Sequence, residues 1–276
     1  MRRSELQGFW RELLMDYTKR GLTKREDILP ALSGIAARMQ SFHNSRYFAG
    51  LWYDRFIEDL CWRPRPSGTD GEYAVSIPSP SDSVSHEDID LPSWSWISIR
   101  RSISFAVVDE PGTFNPYSKI VGCDCIPADT NPFGRVWSGC AVIEGPLLEA
   151  SISYNGVQAT FTDPLFSKVG IELQAPLLGN ALMNNGRLVK TVRRARKGEE
   201  LKSLEGTVWC LYLGSWKPGK LILTIGGYLD HDFLLILGLS TRVAGAYERI
   251  GSVYSLVDKS VLGLCKEAPV QRVSII

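Results

Sequence analysis

From residue 92 to the end, the apolar residues come in short runs rich in β-branched and aromatic side chains. These are "WSWISI", "KIVGCDC", "VWSGCAVIEG", "LLEASISY", "VQATF", "TVWCLYLG", "LILTIGG", "FLLILGL", "AYERIGSVYSL" and "RVSII". Gly, Pro, Asn and Asp separate them, as strands joined by hairpins require. Roughly ten such runs, without intervening helical patterns, predict a mainly antiparallel sandwich or barrel and not a series of βα units.

The first 62 residues keep a different period. Leu6, Trp10, Leu13, Leu14 and Tyr17 lie on one face of a helix, which Gly21 ends. Thr23 and Glu26 have capping-box spacing and open a second helix, which must kink or restart at Pro30 and carries Ile28, Leu32, Ile35, Ala36 and Met39. A third stripe runs through Phe48, Leu51, Trp52, Phe56 and Leu60. Short amphipathic helices must bury their apolar faces on one another and on a neighbouring sheet. The expected fold class is therefore α+β, with an N-terminal layer of three amphipathic helices packed on a mainly antiparallel β-sandwich or barrel. The expected division is a helical subdomain over 1–62, a Pro/Ser-rich acidic loop over 63–91, and a β domain over 92–276 with a long loop near 180–205.

Charge and apolar run length bear on partners. Thirty-one basic residues against thirty acidic ones leave a net charge of +1, which provides no general field for phosphate backbones or anionic lipid, so nucleic acid is not implied. Runs such as "FLLILGL" fall far short of the roughly 20 residues of a membrane helix, so no membrane span is expected. The start, "MRRSELQGFWRELL", turns amphipathic where a secretory signal would stay apolar. A cytoplasmic protein with six reduced cysteines is the expectation. Cys123 and Cys125 have no second Cys/His pair at zinc-finger spacing.

Candidate sites are few. "LPSWSWISI", 91–99, reads as a strand in which Trp94 and Trp96 share a face, either as a stacking platform or as core. Burying one such ring is favourable by at most about 4 to 6 kcal/mol, which favours a seam between the strand and the helical layer carrying Trp52 and Trp62. An exposed platform would instead make Trp94, Trp96, Trp137 and Trp216 a small-ligand or carbohydrate site. Asp230 and Asp232 flank His231, an arrangement suited to a metal site or a hydrolase, although turn chemistry after Gly226 and Gly227 also explains it. His43 ends a helix and His86 lies in the polar loop. Glu58 and Asp59, adjacent on a predicted helix, point in different directions and suggest no carboxylate pair. Arg193, Arg194, Arg196 and Lys197 are followed by Glu199 and Glu200, as in a solvated loop. No nucleophile elbow, zinc-protease helix, dinucleotide fingerprint or phosphate loop occurs, and no cofactor is implied.

The segments "FWRELLMDYTKRGLTKREDILPALSGIAARM", "YFAGLWYDRFIEDLCW", "LPSWSWIS", "NPFGRVWSGCAVIEGPLLEA", "AYERIGSVYSL" and "VSII" together resemble the region that follows the conserved module of fungal heterokaryon-incompatibility (HET) domain proteins. The positions that carry the signature are Thr23, Asp27, Gly34, Gly50, Trp52, Pro92, Trp94, Trp96, Gly134 and Gly139. Nothing here matches the Tyr-x-x-Leu-Ser-Tyr-x-Trp-Gly motif of the HET module itself, to which the family's effector activity belongs. The resemblance thus implies a non-catalytic structural or regulatory module of an allorecognition and cell-death protein. Its implied partner is a HET-type effector module, in cis or in trans.

Overall fold

The computed structural model of the protein describes residues 3–20, 24–65, 91–99, 102–105, 112–154, 159–163, 166, 169, 171–173, 183–184, 187–188, 204–218, 231–254 and 259–276. Thr23, His86, the "LILTIGG" run, the basic run at 193–197, Asp230 and most of the loops expected over 63–91 and 180–205 lie outside the described residues.

Helices α1 (Arg3–Lys19) and α2 (Pro30–His43) open the chain, with a 3₁₀ turn at Arg25–Asp27 between them. Pro30 stands at the start of α2, where its missing N–H costs nothing, and Asn44 closes the helix in the left-handed region at φ 50°. The third apolar stripe does not form a third long helix. It folds as a hairpin of β1 (Tyr47–Phe48) and β2 (Leu51–Trp52), a 3₁₀ turn at Tyr53–Arg55, and one helical turn, α3 (Phe56–Asp59). Ala49 and Gly50 both have positive φ, 43° and 97°, which is the two-residue turn that matches strand twist. Their place between the apolar pairs Tyr47–Phe48 and Leu51–Trp52 was the available signal for a hairpin.

β3 (Trp62–Pro64) pairs with β4 (Ile103–Phe105). The remaining strands are β5 (Gly112–Pro116), β6 (Lys119–Pro127), β7 (Val136–Tyr154), β8 (Ala159–Phe161), β9 (Glu172–Leu173), β10 (Met183–Asn184), β11 (Arg187–Leu188), β12 (Leu204–Pro218), β13 (His231–Leu239), β14 (Tyr247–Tyr254) and β15 (Val270–Ile275). Helix α4 (Lys259–Glu267), which lies between two of the expected strand runs and carries no sequence expectation, precedes β15. All these strands belong to one large sheet, antiparallel except where β11 meets β12 and β14 meets β15. Its pairings close a circuit from β12 through β13, β14, β15 and β7 back to β12.

Two expected strands, "VWSGCAVIEG" and "LLEASISY", are one. β7 runs through Gly145 and Pro146 and changes partners there, from β6 and β15 to β12 and β8. A proline that donates no ladder hydrogen bond is tolerated at such a change.

β12 and β13 are covered on both faces. Trp209, Leu211 and Leu213, with Phe233, Leu235 and Leu237, join a cluster that also takes in Leu6, Trp10, Leu32 and Trp52 from the N-terminal elements. Val208, Cys210, Tyr212, Leu234 and Ile236 face the other way, onto Val261 and Cys265 of α4 and onto Phe161 and Phe166. Burial on both faces explains why "FLLILGL" lacks the alternation of a half-exposed strand. No helix among the described residues is long and apolar enough to cross a membrane.

Candidate functional site

"LPSWSWISI" is not a strand. Trp96–Ser98 form a 3₁₀ turn capped by Ser95, whose Oγ accepts the Ile97 N–H at 3.3 Å. A serine at this position competes well for backbone N–H groups, which favours a turn over a ladder. Trp94 and Trp96 are 0 % and 2 % exposed, so the aromatic pair is core, as the burial energy favoured, and presents no face to a ligand.

These rings form a seam that draws on distant parts of the chain. The Trp96 Nε1–H donates to the Gly50 carbonyl at 3.4 Å, which also accepts Trp10 Nε1–H at 3.1 Å. A Cβ on Gly50 would come within 2.3 Å of Trp96 Nε1, so the hairpin turn needs glycine twice over. Ser95 Oγ donates to the Ala49 carbonyl at 2.5 Å. Trp94 lies against Gly139 of β7, where an added Cβ would meet its Cζ2 at 3.0 Å and Pro92 Cβ at 3.2 Å. Trp52 stacks edge-on with Trp10 and Tyr47.

Arg249 on β14 holds the middle of the seam. Its guanidinium is fully buried, lies 3.7 Å from the centre of the Trp62 ring, and donates to the Leu60 carbonyl at 2.9 Å and the Trp62 carbonyl at 2.5 Å. Trp62 Nε1–H donates in turn to the Trp94 carbonyl at 2.9 Å. The Arg249 N–H donates to Ser93 Oγ at 2.8 Å, and Ser93 Oγ donates to the main-chain oxygen of Ile276. An arginine in an alternating strand gives no sequence cue that it will be enclosed, and the residue was not anticipated.

A second buried charge cluster joins α1 to α3. Arg11 donates to Asp59 Oδ1 from Nε at 2.8 Å and from Nη2 at 2.6 Å, and to Glu58 Oε1 from Nη1 at 2.7 Å. Arg55 reaches Glu58 Oε2 at 2.7 Å. Glu58 and Asp59 therefore act together after all, because a single helical turn lets both reach one guanidinium. Burial raises the Asp59 carboxyl to about 6, against the opposing pull of Arg11. The paired carboxylates hold Arg11 firmly in its charged form.

The other sequence candidates scatter. Trp216 is 6 % exposed on β12, whereas Trp137 is 48 % exposed, with the Arg135 guanidinium 4.5 Å from its ring centre. Of the four candidate tryptophans only Trp137 offers an open face. His231 and Asp232 are neighbours on β13 and so project to opposite sides. Asp232 is buried and accepts the Tyr212 hydroxyl at 2.6 Å. Among the described residues, no group of three or more His, Cys, Asp or Glu is placed to hold a metal ion.

Of the remaining signature positions, Asp27 lies near Tyr17, whose hydroxyl donates to the Ile28 carbonyl at 2.8 Å and is pushed up to about 12 by burial and then by Asp27. Gly134 closes a turn onto the Asn131 carbonyl at 3.0 Å. Gly34 is exposed on α2 with open space around it, and nothing in the structure explains it. A cavity between Leu60, Cys61 and Arg63 and the strand residues Leu213, Phe233 and Ser252 measures about 10 Å³. That is room for one water, and far below the several hundred Å³ of a small-molecule pocket.

No family model matches this chain, and no curated protein or solved structure matches it.

Proposed function

We propose that this chain is a non-catalytic structural or regulatory module, the counterpart of the C-terminal region of HET-type allorecognition proteins, acting in the cytoplasm on a HET effector module in cis or in trans. One observation carries the reading: segments far apart in sequence that bear the resemblance meet in a single seam. "FWRELL" contributes Trp10, "YFAGLWYDRFIEDLCW" contributes Gly50 and Trp62, and "LPSWSWIS" contributes Ser93, Trp94 and Trp96. Gly139, Arg249 and Ile276 come from the other three segments. A motif whose members are spent on one another in a core marks a shared fold, and residues so enclosed are unavailable to a substrate. In this reading the closed strand circuit is a barrel, with the N-terminal elements layered against it. The alternative of a carbohydrate-binding module contracts to Trp137, a single ring already stacked by Arg135.

The test is expression in a filamentous fungus, with the chain alone and together with a separately encoded HET module. The chain alone leaves cells viable, and it binds the module and changes the extent of death that the module causes. Death caused by the chain alone, or consumption of a nucleotide cofactor by the purified chain, would overturn the proposal.

A further inference from the structure

β6 carries two thiols on one face. Cys123 and Cys125 stand two residues apart in an extended strand and therefore project to the same side. Cys123 is buried, while Cys125 is partly exposed at the border of the same apolar cluster. Cys125 Sγ lies over Gly139, where an added Cβ would meet it at 3.0 Å, in the space where Trp94 and Pro92 also converge. The nearby Cys140 is the register partner of Asp124 and so sits on the opposite face of the ladder.

We propose that Cys123 and Cys125 form an oxidisable dithiol that a hydroperoxide converts to an intrachain disulfide. Cys125, the more accessible sulfur, takes an oxygen atom from the hydroperoxide and becomes a sulfenic acid, while its thiol proton leaves with the released alcohol, or with water when the oxidant is hydrogen peroxide. Cys123 then attacks the Cys125 sulfur. The S–O bond breaks, and the departing hydroxide carries off the Cys123 proton as water. The two sulfurs together give up two electrons and the hydroperoxide accepts them. A small-molecule dithiol reverses the reaction by exchange.

The surrounding structure has room for the change. Residues two apart in a strand have Cα atoms about 6.6 Å apart, at the long end of what a disulfide spans, so the bond must shorten β6 locally. Among the described residues β6 pairs only with β7, so it is an edge strand, and its register already shifts on both sides of the pair, at Ile120/Gly122 and at Ile126/Pro127. Gly122 has open space beside it. The product is uncharged, which suits an apolar border better than a thiolate or a metal thiolate would.

The experiment exposes the full reduced chain to hydrogen peroxide, blocks remaining thiols with N-ethylmaleimide in denaturant, and weighs the proteolytic fragments. The fragment holding Cys123 and Cys125 should appear unalkylated and about 2 Da lighter than its dithiol form, and should regain two reactive thiols after dithiothreitol. Cys140→Ser should leave this result unchanged, and Cys125→Ser should leave Cys123 as a free thiol. The proposal fails if Cys125 proceeds to sulfinic acid beside an alkylated Cys123, if it links to Cys140 or to another chain, or if both thiols survive peroxide.

Discussion

At the scale of single residues, Arg249 has the most to hold. A guanidinium removed from water is tolerable only if its donors are used, and here two of them satisfy the Leu60 and Trp62 carbonyls while the Trp62 ring covers its face. Those carbonyls follow the single turn of α3, which has no continuing helix to supply N–H donors for them. Replacement of Arg249 by Met keeps most of the volume and removes the charge, but leaves the two carbonyls without these donors. Arg249→Met should destabilise the protein by about 3 to 5 kcal/mol, read as a lower urea midpoint. A loss below about 1 kcal/mol would mean that the carbonyls find other donors and that Arg249 does not organise the seam.

At the scale of elements, what could be read from the sequence followed how far each pattern reached. α1 was legible from its helical period, and the strands β6, β12, β13 and β14 from short runs rich in β-branched and aromatic residues bounded by turn residues. The stripe from Phe48 to Leu60 was misread because aromatic residues spaced three and four apart also arise when a two-residue hairpin is followed by turns, and only Ala49 and Gly50 marked the difference. Trp94 and Trp96 were legible as core through burial energy, although the strand assumed for them is a turn. Arg249 and the Arg11 cluster were not legible, since enclosure of a charge depends on partners 47 to 189 residues away.

The Arg11 cluster makes the contact between α1 and α3 depend on pH. Asp59 titrates at about 6 in the folded protein against an ordinary 3.8, so between those values the folded state holds the proton more readily than the unfolded one. Its contribution to stability is complete below about 4 and is lost as pH rises through 6. The stability difference between wild type and Asp59→Asn should therefore shift against the wild type by at most about 3 kcal/mol from pH 4 to pH 7, and stay level above that. Chemical denaturation of both proteins across this range reads it, and a difference that moves the other way would show that the pairing to Arg11 outweighs the cost of burial.

At the scale of the whole molecule, the question is whether the N-terminal elements and the sheet are one folding unit or two. One apolar cluster runs from Leu6 and Trp10, through Trp52, Trp62 and Trp94, to Leu235 and Ile275. The seam ties the same parts by hydrogen bonds from β14 to Trp62 and from Ser93 to Ile276. Neither side can open without exposing rings that the other covers, and exposing a single indole already costs a large part of a domain's net stability. Seven of the eight tryptophans are buried, five of them between Trp10 and Trp96 and the other two, Trp209 and Trp216, on β12. Tryptophan emission thus reports chiefly on the seam, whereas far-ultraviolet circular dichroism reports on the helices and the sheet together. In urea the two signals should follow one transition with the same midpoint and slope. An earlier fluorescence transition, with the strand signal intact, would mean that residues 1–62 detach as an independent subdomain and that the seam is a docking contact. A single transition makes the aromatic signature a condition of folding for the entire chain, so that substitution at Gly50, Trp94 or Arg249 unfolds the sheet as readily as the helices.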